Sequence, residues 1–407
     1  GLLASWIVLV EVLSPAGADT GSATRLTETT QRSLIAVHAL IDEGRYADAA
    51  ERLEGLRRRT RQRPHDQAIV LQTLGHVHHA MDNDDAAIAS FSQALELSAL
   101  PEDTEGQTRY NLAALLVGQG RYREALRAIE PGLHDGSVEI AEAYFLAAVA
   151  RYRLAECEAA VPHVERALDR SGDPPRAWQD LLVACLLERE RYVRALPVLR
   201  DLVARYPGDA VYWRQLAFAY QQSNREEEAI AVLALAQRRG LLDAQAMRRL
   251  AGLYLHGGMP WRAVTLLEGA IARGGIARTA GNWTLLADSL LAAGEADRAV
   301  IPLRHAAERG DEAGSWHRLG SVLFSLGRWE ASVEALERAV AATGPGETGN
   351  AHLMLGVAAI RAGDPDRAQV ALRRALDATE AGGLAGQWLE WLARQPPSGG
   401  IALNPVF

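Results

Sequence analysis

The residues with the clearest potential for metal chemistry are three histidines in the stretch 75–80, which reads GHVHHA. His76 and His79 are three residues apart, so they would lie on one face of a helix. Two imidazoles on one face can bind a metal ion if a third ligand converges on them. The alternative is that His78 occupies a packing position and that the other two are polar residues of a groove. We expect the second arrangement, and therefore predict no metal and no cofactor.

Two cysteines, Cys157 and Cys185, are the other reactive side chains. They form no CxxC pair, and no Cys/His spacing predicts a zinc site. In the repeat register described below they fall in adjacent units, one near the start of a second helix and one late in the next first helix. Because those helix ends are close in an antiparallel stack, a disulfide is geometrically feasible. Two small buried residues fit the sequence at least as well.

A basic run lies at residues 57–63, at the end of the first repeat unit, and its arginines are Arg57, Arg58, Arg59, Arg61 and Arg63. Positive charge at a helix C-terminus is favoured by the helix dipole, so a solvated helix end explains the run. Contact with anionic lipid headgroups or with an acidic partner is the alternative. Any membrane contact of this kind would be peripheral.

No catalytic set stands out. The sequence contains no GxSxG, GxxxxGK[ST] or HExxH motif and no GxGxxG after a strand. The net charge of −8 has the wrong sign for the broad electrostatic attraction that nucleic-acid binding requires. We therefore predict that the chain is not an enzyme and that nucleic acid is not its main partner.

The elements that must position these residues recur with a period of about 33 to 38 residues. Seven units have Leu followed by a small residue at the eighth position, and a second small residue comes about twelve residues later. A large apolar residue follows four residues beyond that. Leu216-Ala217, Ala229 and Leu233 are one example. This pattern is typical of two antiparallel helices whose small residues let the backbones approach closely.

The pattern resembles the tetratricopeptide repeat (TPR) over roughly residues 30–378. The resemblance implies an all-α fold, a right-handed α-solenoid of about ten helix-turn-helix units, because one helix pair cannot bury its apolar face alone. A capping helix over 384–394 would close the array, and 395–407 is predicted to be a disordered tail. The units start near residues 30, 68, 106, 141, 176, 210, 244, 280, 313 and 349.

In TPR arrays the concave face is lined by recurring positions of the first helices, and this resemblance implies a protein or peptide partner in the groove. Aromatic residues and Arg are the residue types that anchor interfaces. The alternative is that neighbouring first helices bury part of these rings. The predicted partner-binding residues are Tyr110, Phe145, Tyr152, Arg153, Arg214, Phe218, Gln221, Arg248, Phe324 and Arg361.

The first residues predict export. Residues 2–13 read LLASWIVLVEVL, a run too short to span a bilayer, which needs about twenty residues. The following Ala16-Gly17-Ala18 fits the small-x-small pattern that signal peptidase recognises. We predict a partial signal peptide over 1–18, cleaved after Ala18, and a periplasmic protein. An uncleaved anchor or a first amphipathic helix is the alternative.

One stretch, residues 247–308, contains a set of specific motifs, which include Leu253-Tyr254-Leu255, Gly258-Met259-Pro260, Leu266-Leu267-Glu268 and Asn282-Trp283. On these motifs the stretch resembles exported TPR proteins encoded beside bacterial ExbB, ExbD and TonB genes. The resemblance implies a periplasmic scaffold that binds components of an ExbB/ExbD/TonB-type complex for outer-membrane transport. A TPR adaptor in cell-envelope assembly or polysaccharide export is the alternative.

Overall fold

The computed structural model describes residues 25–310, 312–342, 349–376 and 381–395, and the regular structure within them is entirely α-helical. This confirms the all-α prediction. The predicted signal peptide at 1–18 and the predicted tail from residue 396 onward lie outside the described residues. No helix in the described ranges is long and apolar enough to cross a bilayer.

The described residues form twenty-one helices in consecutive pairs, with one helix left over at the end. The first helices of the pairs are α1 (Glu28–Asp42), α3 (Pro64–Ala80), α5 (Glu102–Gly118), α7 (Ala141–Arg153), α9 (Arg176–Glu188), α11 (Ala210–Gln222), α13 (Ala244–His256), α15 (Ala280–Ala292), α17 (Ala313–Ser325) and α19 (Gly349–Arg361). The second helices are α2 (Tyr46–Arg59), α4 (Asp84–Glu96), α6 (Tyr122–Asp135), α8 (Cys157–Arg170), α10 (Tyr192–Arg205), α12 (Glu226–Arg238), α14 (Pro260–Ala272), α16 (Ala296–Gly310), α18 (Trp329–Ala342) and α20 (Pro365–Leu376). The last helix is α21 (Gly382–Ala393).

The starts of the first helices follow local sequence signals. From α7 onward they begin at the residues where the spacing placed the unit starts. The earlier helices α1, α3 and α5 begin a few residues before 30, 68 and 106. Proline explains two of these differences, because Pro64 is the first residue of α3 and Pro101 is the N-cap of α5. Proline has a fixed φ that suits the start of a helix and has no N–H to leave unpaired.

The chain folds into two compact units, unit 1 up to Val198 and unit 2 from Leu199. Within each unit consecutive helices pack against each other. First helices also pack against the first helix of the next pair, as α5 does on α7 and α13 does on α15. Among the described helices, successive second helices do not pack as extensively. Contacts between successive first helices are therefore present in both units, at α5–α7 and α7–α9 in unit 1 and at α13–α15 and α17–α19 in unit 2.

Small residues allow the two helices of a pair to approach closely. A Cβ added to Gly320 on α17 would lie 2.7 Å from the Cγ atom of Leu336 on α18. Gly75 on α3 has the same relation to the ring of Phe91, at 2.5 Å. Both large partners are fully buried. The small residue at the eighth position is thus a steric requirement of the pair, as the repeat pattern predicts.

Candidate partner-binding site

In unit 1 the predicted groove residues lie on α5 and α7, but they differ in what they contact. Phe145 is half-buried, and its ring stacks on Trp178 of α9 with 5.1 Å between the centroids. Tyr152 and Arg153, at the end of α7, are exposed. Packing between first helices therefore takes up part of the Phe145 ring, while the end of the same helix remains open to a partner.

Tyr110 on α5 is also half-buried and packs against the core of unit 1. Burial raises the pKa of its phenol, and the negative charge of Glu142 on α7 adds to the effect. The hydroxyl group is therefore neutral at physiological pH and available as a hydrogen-bond donor or acceptor. Its position makes Tyr110 both a packing residue and a polar contact point.

In unit 2 two predicted residues, Arg214 and Phe218, line one cavity of about 270 Å³. Both are on α11, and the opposite wall is the start of α13. Leu233 of α12 contributes an apolar surface at its base. We call this space the α11–α13 cavity. Its lining residues are Arg214, Gln215, Phe218, Leu233, Asp243, Gln245, Ala246 and Arg249.

The charges in the α11–α13 cavity are only partly paired. Arg214 donates a hydrogen bond from Nη1 to Oδ2 of Asp243 at 2.8 Å. The other carboxylate oxygen of Asp243 accepts the N–H of Ala246 at 2.8 Å and thereby caps α13. The guanidinium group of Arg249 lies 5.9 Å from the centroid of the Phe218 ring, within the range of a cation–π contact. Two guanidinium groups thus share a small cavity with one carboxylate.

One polar atom beside the cavity has no partner. The Oε1 atom of Gln215 is buried and has no hydrogen-bond donor within the described structure. Because this atom has almost no exposed surface, an occupant of the cavity cannot reach it while Gln215 keeps this conformation. The cavity therefore offers an aromatic face and cationic groups to an occupant.

The remaining predicted residues do not line this cavity. Phe324 packs edge-on against Trp329 at 5.2 Å, and the guanidinium of Arg361 lies 6.0 Å from the same indole. Arg248 is exposed on α13, and Gln221 is half-buried on α11. The ten predicted residues therefore occupy separate places: the α5–α7 surface, the α11–α13 cavity with its surroundings, and the neighbourhood of Trp329.

Several residues of these sites were not predicted. Arg249 lines the cavity, whereas the sequence register selected its neighbour Arg248. Asp243 was recognisable as a helix N-cap immediately before α13, but nothing in the sequence pairs it with Arg214. Trp178 contacts Phe145 and Trp329 contacts Phe324 only because the helices pack against each other.

The histidine stretch differs from its prediction in one respect. His76, not His78, is the most deeply packed, because its ring meets Phe91 edge-on at 5.1 Å and its Nε2 lies 2.7 Å from Nε2 of Gln72. Burial lowers the pKa of His76 to about 4. His79 contacts Asp84 through Nδ1 at 2.8 Å. Over the ranges that the structure covers, no group of three or more His, Cys, Asp or Glu side chains is placed to bind a metal ion.

The basic run begins in the last turn of α2, continues beyond its end at Arg59, and is mostly exposed. Arg57 pairs with Glu54 one turn earlier, at 3.0 Å. Arg63 lies 4.0 Å from the buried carboxylate of Asp66. These contacts are local, and they leave Arg58, Arg59 and Arg61 on the surface.

The repeated helix pairs and their first-helix surfaces define a class of protein, the helical-repeat scaffolds that bind other proteins. Tetratricopeptide repeat models match residues 68–99, 110–155, 145–210, 186–246 and 311–381, which together make up more than half of the chain. The chain belongs to the tetratricopeptide repeat family. Comparison with curated proteins gives no significant match.

Solved structures of TPR proteins are similar in fold. YrrB, described as a TPR protein with an unusual peptide-binding site, is 19% identical, covers 47% of this chain and 97% of its own, and has a TM-score of 0.39. A TPR protein from Parabacteroides merdae is 16% identical over 65% of this chain and 100% of its own, with a TM-score of 0.37. The TPR2AB domain of yeast Sti1, in complex with pHSP90, is 15% identical over 62% and 96%, with a TM-score of 0.33.

Proposed function

We propose that this chain is a scaffold that binds a protein partner along its first helices, with the α11–α13 cavity as the main anchor point. Protein–protein interaction is the function that TPR arrays serve as a class, because stacked repeats present extended surfaces. The observation that carries the proposal is that Arg214 and Phe218 line one cavity together with Arg249. Aromatic and Arg side chains around a small pocket are typical of interface hot spots.

The size and charge of the cavity favour one side chain of a partner rather than a small-molecule cofactor. Its volume of about 270 Å³ lies just below the range of about 300–1,000 Å³ for small-molecule sites. Two guanidinium groups against one carboxylate leave an excess positive charge. We therefore expect a partner residue with a carboxylate, either an acidic side chain or a C-terminus, next to an apolar group that contacts Phe218.

For the cellular role, we propose that the protein is periplasmic and that its partner is a component of an ExbB/ExbD/TonB-type complex. The apolar run before Ala18 supports export. The similarity of residues 247–308 to exported TPR proteins of such systems supports the partner. That stretch contains most of α13, including the cavity residue Arg249.

A binding measurement tests the anchor point. The purified chain is titrated with the periplasmic domains of ExbD and TonB by calorimetry. We expect Phe218→Ala and Arg249→Gln each to weaken binding about tenfold or more, as truncation of a hot-spot residue does. Ile301→Ala and Arg304→Gln on α16 are the matched controls, because both side chains are exposed on a second helix. Unchanged affinity in the folded cavity variants would mean that the partner binds elsewhere on the protein.

A second experiment tests the location and the identity of the partner. The natural chain, expressed with its own N-terminal segment, is fractionated, and the mature N-terminus is sequenced. We expect periplasmic protein that begins at Asp19. Cross-linking in intact cells should then capture ExbD or TonB. Capture of an envelope-assembly or polysaccharide-export component instead would support the adaptor function, and retention in the cytoplasm would contradict both.

A further inference from the structure

The two cysteines meet inside unit 1. Cys157 is the first residue of α8, and Cys185 is in α9, 28 residues later. Their Sγ atoms are 2.8 Å apart, which is less than 1 Å longer than a disulfide bond of about 2.05 Å. Their exposed fractions are 1% and 0%. Because α8 and α9 pack against each other, the fold itself brings these thiols together.

Packing does not require a cysteine at either position. Four of the other nine second helices begin with a large aromatic residue at the position of Cys157, and the other five begin with Asp, Glu, Pro or Ala; the aromatic residues are Tyr46, Tyr122, Tyr192 and Trp329. The position of Cys185 is occupied by a small residue in other first helices, for example Ala150 and Ser289. The two thiols are thus found together at positions where other repeats carry other residue types.

We propose that Cys157 and Cys185 form an intramolecular disulfide that links two adjacent repeats of unit 1. The proposal does not rest on the identity of the binding partner. The bond would fix the start of α8 against α9, the helix that also carries Trp178. It would therefore hold the repeat that packs against Phe145 at one spacing.

Formation of the bond needs an oxidant, and a low-molecular-weight disulfide such as oxidised glutathione has suitable chemistry. One protein thiol loses its proton and attacks the small disulfide, which releases one reduced thiol and leaves a mixed disulfide. The second protein thiol then attacks the mixed disulfide and releases the other reduced thiol. The two cysteines lose two protons and two electrons in total, and the small disulfide is reduced to two thiols.

Both thiols are buried, so an oxidant reaches them only when the start of α8 separates locally from α9. Cys185 borders a second cavity of about 260 Å³ that is also lined by Arg189, Arg191 and Arg194 and by their partners Glu158 and Glu165. Three guanidinium groups against two carboxylates leave a net positive charge that would attract the carboxylates of glutathione. Burial raises the pKa of both thiols, and the carboxylate of Glu188, 3.3 Å from the Sγ of Cys157, also opposes ionisation of that thiol. Because the thiolate is the attacking species, oxidation should be slow at neutral pH and faster as the pH rises.

Mass spectrometry of the folded protein tests the proposal. The full chain is reduced, freed of reductant, and incubated with oxidised glutathione without denaturant. Free thiols are then alkylated under denaturing conditions before digestion with trypsin. We expect one cross-linked species that joins peptide 154–166 to peptide 177–189, on a chain that runs as a monomer in a non-reducing gel. The melting temperature of the oxidised protein should rise, because the bond restricts the unfolded chain.

Several outcomes would overturn the proposal. These are two alkylated cysteines, stable glutathione adducts on separate chains, or an intermolecular dimer. Cys157→Ser and Cys185→Ser are the controls, and neither should show a rise in melting temperature after the same treatment. If a serine variant does not fold, the cross-linked peptide of the unmodified chain still decides the question.

Discussion

Gly320 provides a direct test of how closely the helices of a repeat must approach. It is in the middle of α17 and faces Leu336 on α18, which is fully buried. A Cβ at this position would lie 2.7 Å from Cγ and 2.8 Å from Cδ2 of Leu336. The hydroxyl of Ser332 donates a hydrogen bond to the carbonyl oxygen of Gly320 at 2.9 Å, which holds the two helices together at this point. The helices cannot separate without lengthening this bond.

Two opposing effects set the size of the change expected for Gly320→Ala. Overpacking of a core costs about 1–3 kcal/mol. Alanine improves helix propensity over glycine by about 1 kcal/mol. We expect a net loss of about 1–2 kcal/mol, because the contact is with Cγ of a buried Leu336 rather than with the end of a flexible side chain. In a unit of this size, that corresponds to a fall in melting temperature of roughly 2–8 °C.

Gly252→Ala is the matched control. Gly252 is in the middle of α13, also in unit 2, and a Cβ there would meet nothing within 4 Å. Its replacement should stabilise the helix by up to about 1 kcal/mol. Thermal and urea unfolding followed by circular dichroism should therefore give shifts of opposite sign for the two substitutions. An increase in stability for Gly320→Ala would refute the steric argument, because it would mean that α17 and α18 relax apart as the alanine-containing repeats do.

Three further predictions concern packing and buried polar groups. His76→Gln should weaken the pH dependence of unfolding. The pKa of His76 is about 4 in the folded protein and about 6.5 in the unfolded chain, so stability that is present above pH 6.5 is lost as the pH falls towards 4. The expected loss is about 1–2 kcal/mol between pH 7 and pH 5, and melting temperatures at both pH values test this. Asp66→Ala should speed amide hydrogen exchange in α1 about tenfold or more. The reason is that the buried carboxylate accepts hydrogen bonds from the hydroxyl of Thr27 at 2.7 Å and from its backbone N–H at 3.2 Å. Unchanged exchange would show that α1 is held by apolar contacts alone. Trp388→Ala should destabilise α21 by roughly 1–3 kcal/mol. Trp388 packs on the core cluster formed by α18 to α21 and lies edge-on against Trp391 at 5.8 Å. Faster proteolysis within α21 is the expected result, and an unaltered rate would contradict the prediction.

The helical register could be predicted from the sequence because it depends on a short-range steric rule. A small residue must stand where two helices cross, and residues such as Ala217 and Ala251 meet that rule with no exposed surface. The rule recurs at a nearly constant interval, so the start of each first helix from Ala141 onward could be located. The starts of α3 and α5 could not, because Pro64 and Pro101 displace them independently of the repeat.

The contacts of the candidate site were less predictable because they depend on three helices at once. Ideal repeat positions assign each residue an angle around its own helix, and this selected Arg248 for the inner surface. Successive residues differ by about 100° in that angle, but a long Arg side chain reaches several ångströms in either direction. Arg249 therefore lies over Phe218 on the neighbouring first helix, although the repeat register did not select it. Contacts with the next repeat therefore determine the direction of a long side chain.

The surroundings of Arg214 and Arg249 decide which of the two positive charges an acidic partner would contact. Arg214 was predicted from its register, but Asp243 already accepts a hydrogen bond from it at 2.8 Å. A carboxylate entering the α11–α13 cavity must compete with Asp243 for Arg214, and Asp243 cannot move away without uncapping α13. Arg249 lies over the face of the Phe218 ring and forms no salt bridge with the described residues, so it can bind a new carboxylate with less rearrangement. The residue that the repeat pattern did not select is therefore the better anchor for an acidic partner.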